Sequence, residues 1–326
     1  MGALRVLKLL FLVFSLSIAI STHAAPVCAA RSEAASSVAK LSDVMQRGRF
    51  IAYQPTSLRV VNGQLGTADE ASIAADLKVL RTKFDGIITY GVLNGAEKIP
   101  DIAAKMGFRA VILGIWDIGD AKQRTNAVNA WQRNRNLVVG VSVGNETLFS
   151  KRNTQPQMLE AVATLHRVAP GLAVSTTEPF HMFDDPASNA LLAQLDFLLL
   201  NVHPVFQPWF ANAPSKNAAE FVVNVVNKLQ PRFCGPVLVK ETGEPTAPRQ
   251  AGYSPQRQAE FYRELRQQFP PSRSRAFAYF SAFDAAWRVH DVHPVPGEHP
   301  EEGSWGIYTE ERGAKPAASE LPALER

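Results

Sequence analysis

Leu137-Val138-Val139-Gly140-Val141-Ser142-Val143 is a run of small and β-branched side chains that stops on Gly144-Asn145-Glu146. A run with so little polar alternation fits a strand buried on both faces, the mark of a parallel sheet covered by helices. Runs of the same kind occupy 49–53, 86–90, 110–116, 173–177, 197–202, 236–240 and 276–280. Helical spacing separates nearly all of them. Ile73, Leu77 and Leu80 share one face after the first run, and Thr67-Ala68-Asp69-Glu70 reads as the capping box that opens that helix. Ile99, Ile102, Ala103 and Met106 follow the second run, and residues 121–135 the third. Leu159, Val162 and Leu165 follow the fourth, 189–194 the fifth, and Phe221, Val222, Val225 and Leu229 the sixth. Ser254-Pro255 caps and starts the helix after the seventh. The pattern predicts an α/β fold, a single (β/α)8 TIM barrel. A doubly wound sheet is the alternative, and no glycine-rich turn follows the first run to favour it.

The first 25 residues are of another kind. Arg5 and Lys8 precede the apolar run Leu9 to Ile20, and Thr22-His23-Ala24-Ala25 supplies small residues for cleavage. This is the layout of a secretory signal peptide. The expectation is a leader over 1–25, a catalytic domain over 26–326, and a secreted or periplasmic protein. The run is too short to span a bilayer comfortably and no second one follows, so no membrane span is expected in the mature chain. Two cysteines, Cys28 and Cys234, suggest one disulfide in an exported chain.

The 326 residues are 46% hydrophobic and 20% charged, ordinary globular usage that excludes fibrous, disordered and disulfide-dense classes. Net charge is +4. The leader holds two bases and no acid, so the rest carries 32 bases against 30 acids. An excess of two over a body of this size is no nucleic-acid footprint. A monomer is expected.

In a TIM barrel the reaction site lies where the strands end. The polar residues there are Tyr53, Tyr90, Trp116, Asp117, Asn145, Glu146, Glu178, His203, Glu241, Asp284, Trp287 and Arg288. Carboxylates with aromatic faces suit sugar chemistry: one carboxyl protonates the leaving oxygen, and a second attacks or activates water. His290, His293 and His299 match no strong metal template, so neither metal nor cofactor is expected.

Five motifs then fall in order at strand ends. They are Gly144-Asn145-Glu146, Thr177-Glu178-Pro179-Phe180, Asn201-Val202-His203-Pro204, Glu241-Thr242-Gly243-Glu244-Pro245 and Ser304-Trp305-Gly306-Ile307-Tyr308. Together they resemble glycoside hydrolase family 17, the β-1,3-glucanase family of retaining TIM barrels, in its bacterial branch. The likeness runs from about Arg49 to Tyr308. It implies Glu146 as general acid/base, Glu241 as nucleophile, Asn145 on the sugar 2-hydroxyl, and His203 beside Glu241. Tyr53, Tyr90, Trp116, Glu178, Asp284, Trp287 and Arg288 become candidate substrate contacts. Lys240, by strand alternation, is expected on the opposite face from Glu241. Two departures stand out: Glu244 replaces the family's Trp, and Asp284-Ala285-Ala286-Trp287-Arg288 replaces an Asp-Glu-Pro-Trp-Lys. The expected partner is a β-glucan oligosaccharide or polysaccharide. Hydrolysis of β-1,3 bonds near chain ends is the expected activity. Transglycosylation through the same intermediate, and a catalytically silent glucan-binding protein, are the alternatives.

Overall fold

The computed structural model describes residues 26–28, 33–61, 64–290 and 297–324. The expected leader, His293 and much of the loop 291–303 lie outside the described residues. Eight parallel strands close into a barrel: β1 (Phe50–Ala52), β2 (Gly86–Ile88), β3 (Ala110–Ile115), β4 (Val138–Asn145), β5 (Val174–Pro179), β6 (Leu198–Asn201), β7 (Val237–Glu241) and β8 (Arg275–Tyr279). Each pairs with its chain neighbours, and β1 closes on β8 through Phe50 opposite Ala278. The (β/α)8 expectation is met, and every barrel strand falls on an apolar run read from the sequence; a short antiparallel pair, Val60–Val61 with Gln64–Leu65, lies outside those runs.

Nine α-helices are described: α1 (Ala35–Arg47), α2 (Glu70–Leu80), α3 (Ile99–Lys105), α4 (Ala121–Arg133), α5 (Gln155–Val168), α6 (Asn189–Leu192), α7 (Ser215–Leu229), α8 (Pro255–Gln268) and α9 (Pro316–Ser319). Their starts follow local chemistry. Asp69, not Thr67, caps α2, its carboxylate accepting the Ser72 N–H at 2.7 Å. A carboxylate is the stronger acceptor and also complements the helix dipole. Asp120 caps α4, and Ser254 caps α8 with Pro255 in its first turn. The expected helix over 189–194 shrinks to the single turn α6.

Two layers of apolar side chains result. Phe50, Ile88, Ile112, Val139, Phe197, Leu199 and Leu238 fill the barrel, all fully buried. Large and small residues interlock there: a Cβ on Gly86 would sit 2.4 Å from the Phe50 ring, and one on Gly140 2.7 Å from Phe197. Helix α1, which the strand–helix alternation did not anticipate, plugs the N-terminal end of the barrel with Leu41, Val44 and Met45. The outer layer joins the other barrel faces, including Ile51 and Tyr53, to the surrounding helices. With one end plugged and the wall packed, the other end remains for chemistry.

Cys28 and Cys234 are bonded, their Cα atoms 5.0 Å apart. Val27 pairs in parallel with Phe233, and its N–H donates to the Arg232 carbonyl at 2.8 Å. The chain is thus tied beside the entry to β7. Among the described residues no helix is long and apolar enough to cross a membrane.

Candidate active site

Two strand ends depart from regular pleating. Between β4 and β5, Ser142 pairs with Ser175 but Asn145 with Thr177, so β4 carries one extra residue. Between β7 and β6, Val239 pairs with Leu200 but Glu241 with Asn201, leaving Lys240 as the extra residue. Bulges of this kind re-aim side chains at barrel rims. Gly144 permits the first one: its φ is +77°, and a Cβ there would meet the Thr147 methyl at 2.5 Å. Glu146 itself has φ +51°, a left-handed conformation that costs a non-glycine residue about 1–3 kcal/mol. It is held there by its N–H on the Thr177 carbonyl (2.8 Å) and by Ser150 N–H on its own carbonyl (2.9 Å).

The bulges bring Glu146 and Glu241 into one polar network. Asn201 Nδ2 donates to Glu146 Oε1 at 2.8 Å and lies 3.5 Å from Asn145 Oδ1. Lys240 Nζ donates to Asn145 Oδ1 at 2.6 Å and sits 3.3 Å from Glu241 Oε1. His203 Nε2 lies 3.4 Å from Glu241 Oε2, and its ring is packed edge-on among Phe206, Phe280 and Trp305.

The two carboxyls feel opposite fields. Burial pushes Glu146 up, and the nearby Glu241 charge pushes it further, against the Asn201 hydrogen bond. Burial would also raise Glu241, but the Lys240 ammonium, His203 and Arg288 outweigh it and hold the carboxyl at about 2. One group favours the acid form and the other the anion, the division of labour that paired-carboxylate chemistry requires.

The other residues singled out in the sequence divide. Tyr90 belongs to the network: its ring lies 4.2 Å below Lys240 Nζ, and burial and the Glu241 charge push its phenol up. Trp287 and Arg288 line a cleft beside Tyr90 together with Gln54, Ser281 and Glu302, and Arg288 pairs with Glu302 at 3.0 Å. Trp116 is 47% exposed, with Arg152 stacked 4.7 Å from its ring. Asp284 lines the same cleft, but one oxygen is occupied by Gly306 N–H (2.9 Å) and Lys315 Nζ (2.7 Å), so it ties the closing motif to the barrel.

Two expected contacts are placed elsewhere. Tyr53 is fully buried in the outer layer and donates to Asp76 at 2.9 Å, because alternation turns Phe50 and Ala52 inward and Ile51 and Tyr53 outward. Glu178 is fully buried too, and its two oxygens accept Leu148 N–H (2.9 Å) and Phe149 N–H (3.1 Å). It clamps the loop that carries Glu146. Lys240 is the converse: the bulge turns it into the network, against the expectation of the opposite face. Asn201 was part of a quoted motif yet not singled out, since an apolar run ending in Asn gives no hint of its partner.

Glu244, the departure from the family's Trp, is fully buried and takes Arg257 Nε at 3.0 Å. Arg257 also donates to the Phe210 and Ala213 carbonyls and stacks on Phe210, so the pair anchors the connection between β6 and α7.

Comparison with known proteins agrees with this geometry. The model of the BtgE/BtgC glycoside hydrolase domain matches residues 51–306. A glucan 1,3-beta-glucosidase from Arthroderma benhamiae is 28% identical over 261 residues, covering 76% of this chain and 84% of that protein. In fold the chain is similar to a family 17 beta-1,3-glucanosyltransferase from Rhizomucor miehei, with a TM-score of 0.61 at 24% identity over 82% of this chain and 95% of that one. An endo-laminarinase from Formosa is similar at TM-score 0.64 and 17% identity, covering 82% of this chain and 85% of that one. The matched domain model, the strand-end motifs and the barrel agree: the chain belongs to the BtgE/BtgC glycoside hydrolase domain family and, with it, to glycoside hydrolase family 17.

Proposed function

We propose that this glycoside hydrolase is an exported, retaining enzyme that cleaves β-1,3-glucosidic bonds of β-glucan, with Glu146 as acid/base and Glu241 as nucleophile. The observation that carries the reading is one network holding two buried carboxyls, one pushed up and the other held at about 2. In the first step Glu241 attacks the anomeric carbon while Glu146 gives its proton to the departing oxygen. The glycosidic bond breaks and a glucosyl ester of Glu241 forms. In the second step Glu146 takes a proton from water, the water oxygen bonds to the anomeric carbon, and Glu241 leaves as the carboxylate. Asn145 would meet the 2-hydroxyl, and His203 would keep Glu241 oriented. The relatives support the substrate: one is a glucan 1,3-beta-glucosidase, and an active-site mutant of the Rhizomucor glucanosyltransferase was solved with laminaritriose. The leader read in residues 1–25 supports export.

Transfer to a sugar acceptor is the second reading, and one feature favours it. Between His203 and α7 stand only short turns, which carry Phe206 and Trp209, 46% and 37% exposed. A short wall gives little binding energy to long chains on the leaving side, while exposed rings can stack a short acceptor. Action near chain ends follows. The test is the product profile on a long soluble β-1,3-glucan. Early release of one short product, or products longer than an oligosaccharide substrate, supports the reading. A rapid fall in viscosity with a broad early ladder, or a product profile unchanged from the starting glucan, defeats it.

A further inference from the structure

Lys240 is 1% exposed. A lysine is almost never buried this fully unless paired, because its ammonium loses its hydration. Here the ammonium meets three groups: it donates to Asn145 Oδ1 at 2.6 Å, lies 3.3 Å from Glu241 Oε1 as an ion pair, and faces the Tyr90 ring at 4.2 Å. All three partners belong to the candidate active site.

The Asn145 contact fixes an orientation. Lysine can only donate, so the atom it meets must be the amide oxygen, and the amide nitrogen is turned away from it. Asn201 Nδ2 approaches the same oxygen, which agrees. The bulge in β7 makes this possible, since it places Lys240 and Glu241 on the same side of the strand.

We infer that Lys240 is a positioning residue of this site: it fixes the Asn145 amide as a hydrogen-bond donor for the sugar and holds the Glu241 carboxylate in its charged form. The inference rests on the reading of Glu146 and Glu241 as the catalytic pair. The groups facing Lys240 are Glu241 on β7, Asn145 at the end of β4 and Glu146 just after it, Glu178 on β5 and Tyr90 after β2. Those facing Glu241 are Lys240, His203 after β6, Arg288 after β8, Tyr90 and Glu146. Lys240 is the first of the cations that offset burial at Glu241.

The test uses the full chain with an aryl β-laminaribioside and its analogue lacking the 2-hydroxyl on the sugar next to the aryl group. In K240M, which keeps the buried volume without the charge, the acidic limb of kcat/KM moves up by about 1–3 pH units, the effect of removing one neighbouring opposite charge. The preference for the parent substrate over the 2-deoxy analogue falls by about 5–10-fold, the worth of one hydrogen bond. K240R restores the acidic limb. K240Q, which keeps a donor without charge, moves the limb and retains the preference. If K240M does not fold, K240Q and K240R carry the test. Variants that fold and lose rate with limb and preference unchanged would show that Lys240 only packs, and overturn the inference. E241A serves as control: turnover at the wild-type rate would sink the catalytic pair itself, whatever Lys240 does.

Discussion

Glu178→Gln separates a clamp from a substrate contact. The carboxylate is fully buried and accepts Leu148 N–H at 2.9 Å and Phe149 N–H at 3.1 Å. Burial outweighs those two donors and raises it from 4.5 to about 7. Below pH 4.5 both the folded and the unfolded chain hold the proton. Between 4.5 and 7 only the folded chain does, so stability falls as pH rises through this window. At 1.36 kcal/mol per unit, the shift is worth about 3 kcal/mol. The amide of the variant does not titrate, and the similar contribution of Glu244 is common to both proteins. Urea unfolding of the two proteins at pH 4 and pH 8 should therefore show the wild type losing about 3 kcal/mol relative to Glu178→Gln. Because Glu178 reaches the loop of Glu146 and not the cleft, the variant should lower kcat and leave KM nearly unchanged. Parallel stability at the two pH values would refute the burial argument. A raised KM with unchanged kcat would refute the clamp.

Three further outcomes are expected. Burial pushes Glu244 up to about 7 despite Arg257, so its ion pair is fully charged only above that pH; at pH 8 Glu244→Leu should leave Arg257 with its two carbonyl partners alone and lower stability in urea unfolding, and a neutral result would mean that the pair contributes nothing net. The kcat/KM profile should be flat above the Glu241 limb near pH 2 and fall as Glu146 deprotonates, above its ordinary 4.5; Glu146→Gln should abolish the falling limb on substrates with good leaving groups. The bond between Cys28 and Cys234 spans a sequence separation of 206, for which loop entropy sets a ceiling of about 5 kcal/mol; the paired Cys28→Ser, Cys234→Ser variant should unfold at clearly lower urea, and an unchanged midpoint would show that the crosslink does not constrain the unfolded chain.

The barrel was legible because its strands are buried on both faces, and continuous apolar runs at 110–115 or 138–143 leave little else for the chain to be. The ends of β4 and β7 were legible as chemistry because Glu146 and Glu241 break such runs with a carboxylate. Helix α1 was harder: Leu41, Val44 and Met45 carry helical spacing, but with no apolar strand before them nothing marked them as a barrel plug. Alternation explains the rest in both directions. Regular pleating would have turned Tyr53 outward, where it lies, yet its place beside a strand end suggested a sugar platform. At Lys240 the same rule failed, because a bulge depends on register with β6, which one strand's residues do not encode. Glu178 shows a third limit, since its partners are backbone N–H groups of Leu148 and Phe149 and no side-chain pattern announces them.

In the proposed reaction Glu241 becomes covalently bonded to the sugar while Glu146 manages the proton. This is tested most directly by incubating the enzyme with a 2-deoxy-2-fluoro-β-laminaribioside carrying a reactive leaving group, then mapping the labelled peptide by mass spectrometry. One glycosyl group per chain is expected, on the peptide containing Glu241, with the label lost on addition of a sugar acceptor. Label on Glu146, or turnover of the parent substrate to the α-configured product with no label on any carboxylate, would contradict it.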